Sequence, residues 1–197
     1  ELPKYGFEVD VLNFGEVRRF PKIIRHIIYF FKVLKRGFNT DVIYAQDPVS
    51  VGFPSVLAVK ILNKKFLLKI VGDYAWEQLQ IQNYGSKSIT LEVFQSGEYS
   101  FITELRRKIE RWVAGEANEI IVPSEYLKNI VKQWGVKEEK ITVIYNSLEG
   151  NIANSVPKKE NIIFSAGRLV PWKGFELLIE IMKELPADFK LFIAGSG

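Results

Sequence analysis

The feature that most constrains the fold of this chain is a repeated alternation of short apolar runs with longer amphipathic stretches. Runs rich in β-branched and aromatic residues have the length of strands and lie at residues 7–14, 41–45, 66–71, 119–122, 141–145, 161–166 and 189–194. Stretches with helical periodicity lie between them, at residues 21–36, 49–62, 74–82, 99–117, 124–134 and 173–185. This alternation over short connections predicts an α/β fold with a doubly wound parallel sheet.

Two stretches interrupt the alternation. Residues 84–100 are polar and contain glycine and serine, so they are predicted to form a long functional or mobile loop. Residues 146–160 have the composition of a linker and precede a new strand-loop-helix-strand unit. We therefore predict one domain at residues 1–150 and a second at 151–197. Because the chain opens on a helix end and stops just after a strand, both domains are expected to be parts of a larger fold.

The composition excludes several classes of site. With no cysteine and a single histidine, His26, the chain cannot build a thiolate zinc site, a cysteine nucleophile or a two-histidine metal motif. A net charge of +4 is compatible with an anionic ligand but too small to indicate a nucleic-acid partner. No stretch is apolar over the ~20 residues of a spanning helix, and no leader is recognisable. A cytoplasmic location is expected.

The strongest site signal lies in residues 162–174, IIFSAGRLVPWKG. A predicted strand runs into Gly167 and Arg168, and Lys173 is predicted to open the next helix after a short loop. Two cations beside a helix N-terminus at the carboxyl end of a parallel strand favour an anion such as phosphate. The alternative is a pair of solvated surface cations.

A second signal is KIVGDYAWE at residues 69–77. Asp73 follows a predicted strand at the sheet edge where ligands bind in open α/β folds. Its carboxylate could accept a hydrogen bond from a sugar or acceptor hydroxyl, and Trp76 could offer an aromatic face. Asp73 is equally well explained as the N-cap of the following helix, and the two roles are compatible.

A third signal is a basic stretch that begins at Arg18 and ends at Arg36. It holds seven Lys and Arg residues, and no acid occurs between residues 17 and 40. A polar stripe at three- and four-residue spacing is formed by Lys22, Arg25, His26, Tyr29, Lys32 and Arg36. Such a helix can lie on an anionic membrane surface, here the inner face. The alternative is a sheet-covering helix whose polar stripe faces water.

Three weaker signals have structural explanations. The Gly195-x-Gly197 motif lacks the third glycine and the helix of a phosphate loop. The mixed charges of residues 106–111 predict a solvated helix face. Ser124 is expected to cap a helix.

Together these segments resemble glycosyltransferase family 4, the retaining, nucleotide-sugar-dependent enzymes of GT-B fold. SAGRLVPWKGFELLIEIM is similar to the G-R-L-x-x-x-K-G element, and ANEIIVPSEYLKNIVKQWGVKEEKITVIYNSLE is similar to the run before the interdomain linker. DVIYAQDP, KIVGDYAWE and LFIAGSG also match. The resemblance implies two Rossmann-like domains. Residues 1–150 would be the acceptor-side domain without its first strand, and 151–197 the start of the nucleotide-sugar domain.

The resemblance also implies a reaction. A sugar would move from a nucleotide diphosphate sugar to a hydroxyl of a glycan, a lipid-linked or a small-molecule acceptor. The reaction would proceed with retention, without a metal ion or other cofactor and without a covalent intermediate. Arg168 and Lys173 would bind the donor diphosphate and stabilise its charge as it departs, and Asp73 would orient the acceptor or the donor sugar. Residues 1–197 alone are expected to have no turnover.

Two departures from the family pattern affect particular positions. The sequence Tyr145-Asn146-Ser147 replaces the usual Pro-Asn-Gly, and Asp73 stands where many relatives have histidine. Two other functions stay open, a nucleotide-sugar 2-epimerase of the same fold and a non-catalytic module that binds nucleotide sugar or anionic lipid. An epimerase would need further acids and a histidine in the cleft.

Overall fold

The computed structural model describes residues 2–83, 89–147 and 161–197. It divides into two compact units. The described residues up to 76, together with 91–146, form the first unit, and those within 77–90 and 147–197 form the second. Most of the predicted linker at 146–160 lies outside the described residues, so the domain boundary near residue 150 stays a prediction.

A parallel sheet forms the centre of the first unit. Its four strands follow one another across the sheet in chain order: β1 (Val42–Ala45), β2 (Lys65–Lys69), β3 (Glu119–Val122) and β4 (Ile141–Val143). Leu68 of β2 stands opposite both Ala45 and Ile120, which fixes the register of three strands. Parallel neighbours need crossover connections, which the helices supply. The α/β class and the parallel sheet predicted from the sequence are confirmed.

Helices connect and cover these strands. They are α1 (Lys22–Gly37), α2 (Phe53–Leu62), α3 (Tyr74–Gln82), α4 (Leu91–Ser96), α5 (Phe101–Glu116) and α6 (Glu125–Gln133). The boundary between the units falls within α3, whose residues from 77 onward belong to the second unit. The six residues of α4 lie inside the stretch predicted to be a loop at 84–100, and that prediction is wrong for this part. Phe94 is fully buried, so its apolar contacts stabilise a helix within an otherwise polar segment. Residues 84–88 lie outside the described residues.

The core of the first unit lies between the sheet and the helices that cover it. Phe66, Leu68 and Ile120 on the strands and Val113 on α5 are almost completely inaccessible to solvent. Between β1 and α2 a π-helical turn (Pro48–Gly52) packs against α5. A Cβ atom on Gly52 would lie 2.5 Å from the Asp47 carbonyl oxygen and 3.1 Å from Val113. Only glycine permits this approach, which brings the end of β1 to α5.

Residues 7–14 were predicted to form a strand, and that prediction is wrong. Among the described residues they pair with no strand, although their apolar alternation is that of a strand. A strand needs a neighbour that takes up its backbone groups. Here side chains of α1 take up two carbonyls instead: Tyr29 donates to Leu12 at 3.2 Å, and Arg36 donates to Val11 at 3.1 Å.

The polar stripe of α1 faces water only in part: Lys22 and Arg36 are exposed, whereas Tyr29 is buried. Tyr29 is buried in an apolar cluster with Val17 of the preceding segment. Lys32 forms an ion pair with Glu16, and Arg36 pairs with Asp10 at 3.0 Å. The acids of the preceding segment therefore turn this stripe toward the protein.

The exposed face of α1 is apolar. Ile23, Ile27 and Phe31 follow at four-residue spacing and are 77%, 51% and 59% exposed. Lys22 and Lys35, near the two ends of the helix, are also exposed. None of the helices within 2–83, 89–147 and 161–197 has the length and apolar content required to cross a bilayer.

The second unit contains a strand-helix-strand element. Strands β5 (Ile162–Ala166) and β6 (Lys190–Ala194) are parallel neighbours, and α7 (Phe175–Ile181) connects them. Both strands alternate between exposed and half-buried positions, so one face of this ribbon is covered more than the other. The strands and the helix predicted for this region are present, with a helix shorter than predicted.

Candidate active site

The first predicted site residue, Arg168, lies in the loop that follows β5. The preceding residue, Gly167, donates its N–H to the Ala194 carbonyl at 3.0 Å, and Leu169 donates to the Ser196 carbonyl at 3.0 Å. The loops after β5 and β6 therefore run side by side. Arg168 stands at the carboxyl end of a parallel strand, as predicted, where ligands of α/β folds bind.

The two glycines after β6 make this approach possible. A Cβ atom on Gly195 would lie 1.9 Å from the Gly167 carbonyl oxygen, and one on Gly197 would lie 2.5 Å from the Leu169 carbonyl oxygen. Such distances are impossible for a side chain. Backbone packing between the two loops therefore accounts for the Gly195-x-Gly197 motif.

Lys173 lies beside the same loop, although not at a helix start. It ends a 3₁₀ turn (Pro171–Lys173), and α7 begins only at Phe175 after Gly174 in the left-handed conformation, with φ 67°. The predicted helix start is wrong by two residues, because this left-handed residue separates the turn from the helix. A Cβ atom on Gly167 would lie 4.0 Å from Lys173 Cδ, so the lysine side chain passes the residue adjacent to Arg168.

The Arg168 side chain is accessible to a ligand. It is 65% exposed, and its guanidinium lies 3.6 Å from the carboxylate of Glu77 in the same unit. An exposed pair at this distance contributes little to stability. The loop thus presents two permanent cations whose N–H groups can bind phosphate oxygens.

The structure places Asp73 at the start of α3, where it is only 2% exposed. One carboxylate oxygen accepts the Trp76 N–H at 2.8 Å, which is the geometry of an N-cap. The other accepts from the Gln95 amide at 2.9 Å, and the Gln95 oxygen accepts the Trp134 indole N–H at 3.1 Å. Capping, the structural role considered for Asp73, is confirmed.

Glu110 of α5 was not identified from the sequence, yet it completes the same helix start. Its carboxylate oxygens accept the N–H groups of Tyr74 at 2.6 Å and Ala75 at 3.1 Å. Together with Asp73 it satisfies the first three amides of α3, which have no partner inside the helix. Glu110 is 1% exposed, so this carboxylate is held in the core.

The solvated face predicted for residues 106–111 is wrong for Arg107 and Glu110, which are buried, whereas Lys108 is exposed. Arg107 is 7% exposed and donates to the carbonyls of Gly97 at 3.0 Å and Gln95 at 2.7 Å. Buried polar groups require partners, and these carbonyls come from the last turn of α4 and the residue that follows it. A helical stripe analysis would have detected the pattern, because Arg107 and Glu110 share the face of Thr103 and Ala114.

Burial raises the pKa of three carboxyl groups at this edge of the sheet. For Asp73 the effect of burial exceeds the opposing hydrogen bonds from Trp76 and Gln95, so its pKa is raised. For Glu110 burial comes first and the negative charge of Asp73 adds to it, which raises the pKa well above 4.5. Burial also raises the pKa of Asp47, the residue that caps the turn after β1. Acidic groups and arginines therefore share a partly desolvated region of the first unit.

Solved structures of other proteins share the fold of this chain. The chain is similar to the Anabaena protein Alr3699/HepE in complex with UDP-glucose, with a TM-score of 0.64 and 18% identity over 85% of this chain and 43% of that one. It is also similar to the lipopolysaccharide outer core galactosyltransferase WaaB, with a TM-score of 0.52 and 16% identity over 89% of this chain and 43% of that one. Both likenesses show the fold of a GT-B glycosyltransferase.

Family models show the family to which the chain belongs. The model of glycosyltransferase family 4 matches residues 1–149, and that of glycosyl transferases group 1 matches residues 150–197. The chain belongs to glycosyltransferase family 4. It is also 26% identical, over 127 residues and 58% of its length, to the uncharacterized glycosyltransferase MJ1069 of Methanocaldococcus jannaschii. The chain spans 32% of that relative and less than half of the two solved structures.

Proposed function

We propose that the complete enzyme transfers a sugar from a nucleotide diphosphate sugar to a hydroxyl acceptor, with retention of the anomeric configuration. The observation that carries this proposal is the pair of Arg168 and Lys173 beside one strand-end loop of a family 4 glycosyltransferase. The Anabaena relative was solved with UDP and with UDP-glucose, which supports a UDP-hexose as donor.

The proposed mechanism stabilises the leaving group. As the bond from the sugar to the diphosphate breaks, the sugar becomes oxocarbenium-like and negative charge grows on the diphosphate. Cations already placed beside that charge stabilise it without rearranging. Arg168 would bind two oxygens with its planar fork and Lys173 would add a compact charge, so the proposal needs neither a metal ion nor a covalent intermediate.

The proposal is tested by incubating the complete enzyme with UDP-sugars and hydroxyl acceptors, with and without EDTA. Released UDP and the anomeric configuration of the product, determined by NMR, are the measurements. We expect UDP release that depends on an acceptor, persists in EDTA and yields a retained linkage. Transfer with inversion contradicts retention, and activity lost in EDTA contradicts the metal-free step. An epimerised donor without transfer indicates the 2-epimerase, and binding without turnover indicates a binding module.

Asp73 is proposed to orient the acceptor or the donor sugar in addition to capping α3. A carboxylate has about four lone-pair sites, and the Trp76 and Gln95 hydrogen bonds use one on each oxygen. Lone pairs remain for a substrate hydroxyl. Because the side chain is nearly inaccessible, only a group that inserts at the start of α3 can reach it.

Replacing Asp73 with Asn should lower kcat/KM by about tenfold and cost a modest part of the stability. Asparagine retains an acceptor oxygen for the Trp76 amide, but its NH2 group cannot accept from Gln95, and it loses the charge that strengthens a hydrogen bond to substrate. Steady-state kinetics and a thermal melt are the measurements. The matched control is Ser124→Ala, which removes the cap of α6, where Ser124 accepts the Leu127 N–H at 3.2 Å. Equal activity losses in the two variants would show that Asp73 only caps α3 and does not orient a substrate.

Peripheral attachment to an anionic membrane surface is proposed for the exposed face of α1. The apolar stripe of Ile23, Ile27 and Phe31 has the spacing of an interfacial helix, and Lys22 and Lys35 flank it. Apolar side chains would enter the acyl boundary while both lysines contact the headgroups. Exposing this apolar stripe to water is unfavourable. A large apolar patch on a protein surface therefore marks a contact site.

Replacing Lys22 and Lys35 together with Ala should weaken binding to anionic vesicles about 30-fold, because each cation near the surface contributes about 1 kcal/mol. Vesicle co-sedimentation is the measurement. Ile27→Ser should weaken binding as well, whereas its matched control Ile179→Ser, at a helical isoleucine of the second unit that is 53% exposed, should not. Equal binding to neutral and anionic vesicles, or full binding by the double variant, would remove this hypothesis.

A further inference from the structure

A second group of cations lies in the first unit, beyond the carboxyl ends of β1 and β2. Arg25 is carried by α1 and Arg106 by α5, and both helices pack against the Pro48–Gly52 turn that follows β1. Tyr74 is the first residue of α3, which follows β2. Elements from three parts of the chain therefore meet at the edge of the sheet where ligands bind.

Glu110 holds the start of α3 against the helix that carries Arg106. Arg106 lies four residues before Glu110 on α5, so both side chains leave the same face of the helix. The Glu110 carboxylate accepts the Tyr74 N–H at 2.6 Å, which anchors α3 on this face. Burial raises the pKa of the Tyr74 phenol, and the positive charges of Arg106 and Arg25 are near enough to oppose that rise.

The two arginines present donors that the protein does not use. Arg25 Nε and Arg106 Nη1 are buried and have no hydrogen-bond partner within residues 2–83, 89–147 and 161–197. The nearby carboxylates do not serve them: Glu110 is occupied by α3, and Asp47 accepts the amides of the turn after β1. A buried N–H without an acceptor costs free energy, so each one indicates a missing partner.

We propose that Arg25, Arg106 and Tyr74 bind a phosphate group carried by the acceptor. Two guanidinium groups balance the double negative charge of a phosphomonoester, and their N–H groups fit its oxygens in pairs. Burial raises the pKa of Tyr74, so the phenol keeps its proton and can donate a further hydrogen bond. The donor phosphates are assigned to Arg168 and Lys173 of the second unit, which leaves this site to the acceptor. This inference rests on the proposed glycosyl transfer.

The site is tested in the complete enzyme carrying Arg168→Ala and Lys173→Ala, so that the donor site cannot contribute. Calorimetric titration with inorganic phosphate measures the affinity. Arg106→Met should weaken binding by about tenfold or more, because methionine fills the space without the charged donors. Arg19→Met removes an exposed arginine that precedes α1 and should have no effect. Unchanged affinity in a folded Arg106→Met protein, or no phosphate binding by the parent, overturns the site.

Near-ultraviolet circular dichroism reports whether Arg106→Met is folded. If it is not, Arg106→Lys keeps the charge without the fork and should still weaken phosphate binding, and full affinity in that variant overturns the site. Glycerol 3-phosphate and vesicles that contain phosphatidic acid distinguish a soluble from a lipid-borne phosphate. Arg106→Met should weaken binding only of the one that the site accepts.

Kinetics separate this inference from the proposed function. In the otherwise unmodified enzyme, Arg106→Met should raise KM for a phosphorylated acceptor and leave KM for the nucleotide sugar unchanged. Phosphate binding that depends on Arg106 in a protein without transferase activity contradicts the proposed function but keeps the site. If the enzyme transfers sugar but its phosphate binding does not depend on Arg106, the phosphate site is contradicted and the proposed function is kept.

Discussion

Replacing Arg168 with Ala in the complete enzyme should lower kcat by about 10²–10³ and raise KM for the nucleotide sugar much less. The loss of one contact to charge that grows in the transition state costs ~2.7–4 kcal/mol. An interaction of this kind is stronger in the transition state than in the bound substrate, so its loss affects kcat first. Lys173→Ala should behave in the same way, because its side chain passes the residue adjacent to Arg168.

Arg168→Lys should restore only part of the activity. Lysine keeps the positive charge but cannot bind two phosphate oxygens with a planar fork. The Arg168 side chain is 65% exposed, and its pairing with Glu77 is a surface interaction that contributes little to stability. All variants should therefore melt near the temperature of the parent protein.

Steady-state kinetics with the true donor, together with a thermal melt of each variant, measure these effects. Lys183→Ala is the matched control, since it removes another exposed cation of the second unit from the turn that follows α7. Its kcat should be unchanged. Near-normal kcat in a folded Arg168→Ala protein would remove the β5 loop from the mechanism.

The sequence predicts the strands of this fold well where their pattern is local. Strand β3 and strand β6 lie where the apolar runs at 119–122 and 189–194 predict them, because short runs of apolar, β-branched and aromatic residues favour strands. The run at 7–14 has an equally clear pattern but pairs with nothing in the described structure. Pairing depends on a partner that the run itself does not specify, so the pattern alone could not predict this outcome.

For α1, too, the sequence pattern predicts the element but not which of its faces is buried. Periodicity predicts an amphipathic helix, and α1 is one. Which face is buried depends on the partners, and Glu16 and Asp10 attract the cationic side toward the protein. The exposed apolar stripe around Ile27 is a consequence that becomes visible only when those partners are in place.

The candidate site divides in a similar way. Arg168 and Lys173 could be identified because a glycine, two cations and a strand end occur within a few residues of each other. The helical stripe of α5 could indicate that Glu110 is buried but not what it binds, because its partner amides belong to Tyr74 and Ala75, more than thirty residues earlier in the chain. Its charge suggested a solvated position, whereas two backbone hydrogen bonds make burial possible.

Replacing Glu110 with Ala should lower the free energy of unfolding by about 2–4 kcal/mol. Two buried amides would lose their acceptors, at roughly 1–3 kcal/mol each, and removing a buried charge offsets part of that cost. The effect on the first turn of α3 should be more specific than the effect on overall stability. Hydrogen exchange at Tyr74 and Ala75 should become faster, because the first turn of α3 loses two of its caps.

Urea unfolding and hydrogen exchange of the complete enzyme measure the two effects. The matched control is Glu116→Ala on the same helix, where the carboxylate pairs with Lys60 at 2.7 Å near the surface. That variant should lose at most about 1 kcal/mol and leave exchange at Tyr74 unchanged. Equal destabilisation by the two substitutions would mean that the buried hydrogen bonds of Glu110 contribute no more than a surface ion pair.

The pH dependence of Glu110→Gln distinguishes the cost of burying the charge from the gain of capping. Burial raises the pKa of Glu110 well above 4.5, so the folded protein holds this proton to higher pH than the unfolded chain does. Stability from this group is therefore present below about pH 4.5 and is lost as the pH rises toward the folded pKa. Glutamine does not titrate, so the stability of the variant relative to the parent should increase over that interval. A difference that stays constant with pH would show that the two amide hydrogen bonds fully offset burial and keep the pKa of Glu110 near its ordinary value.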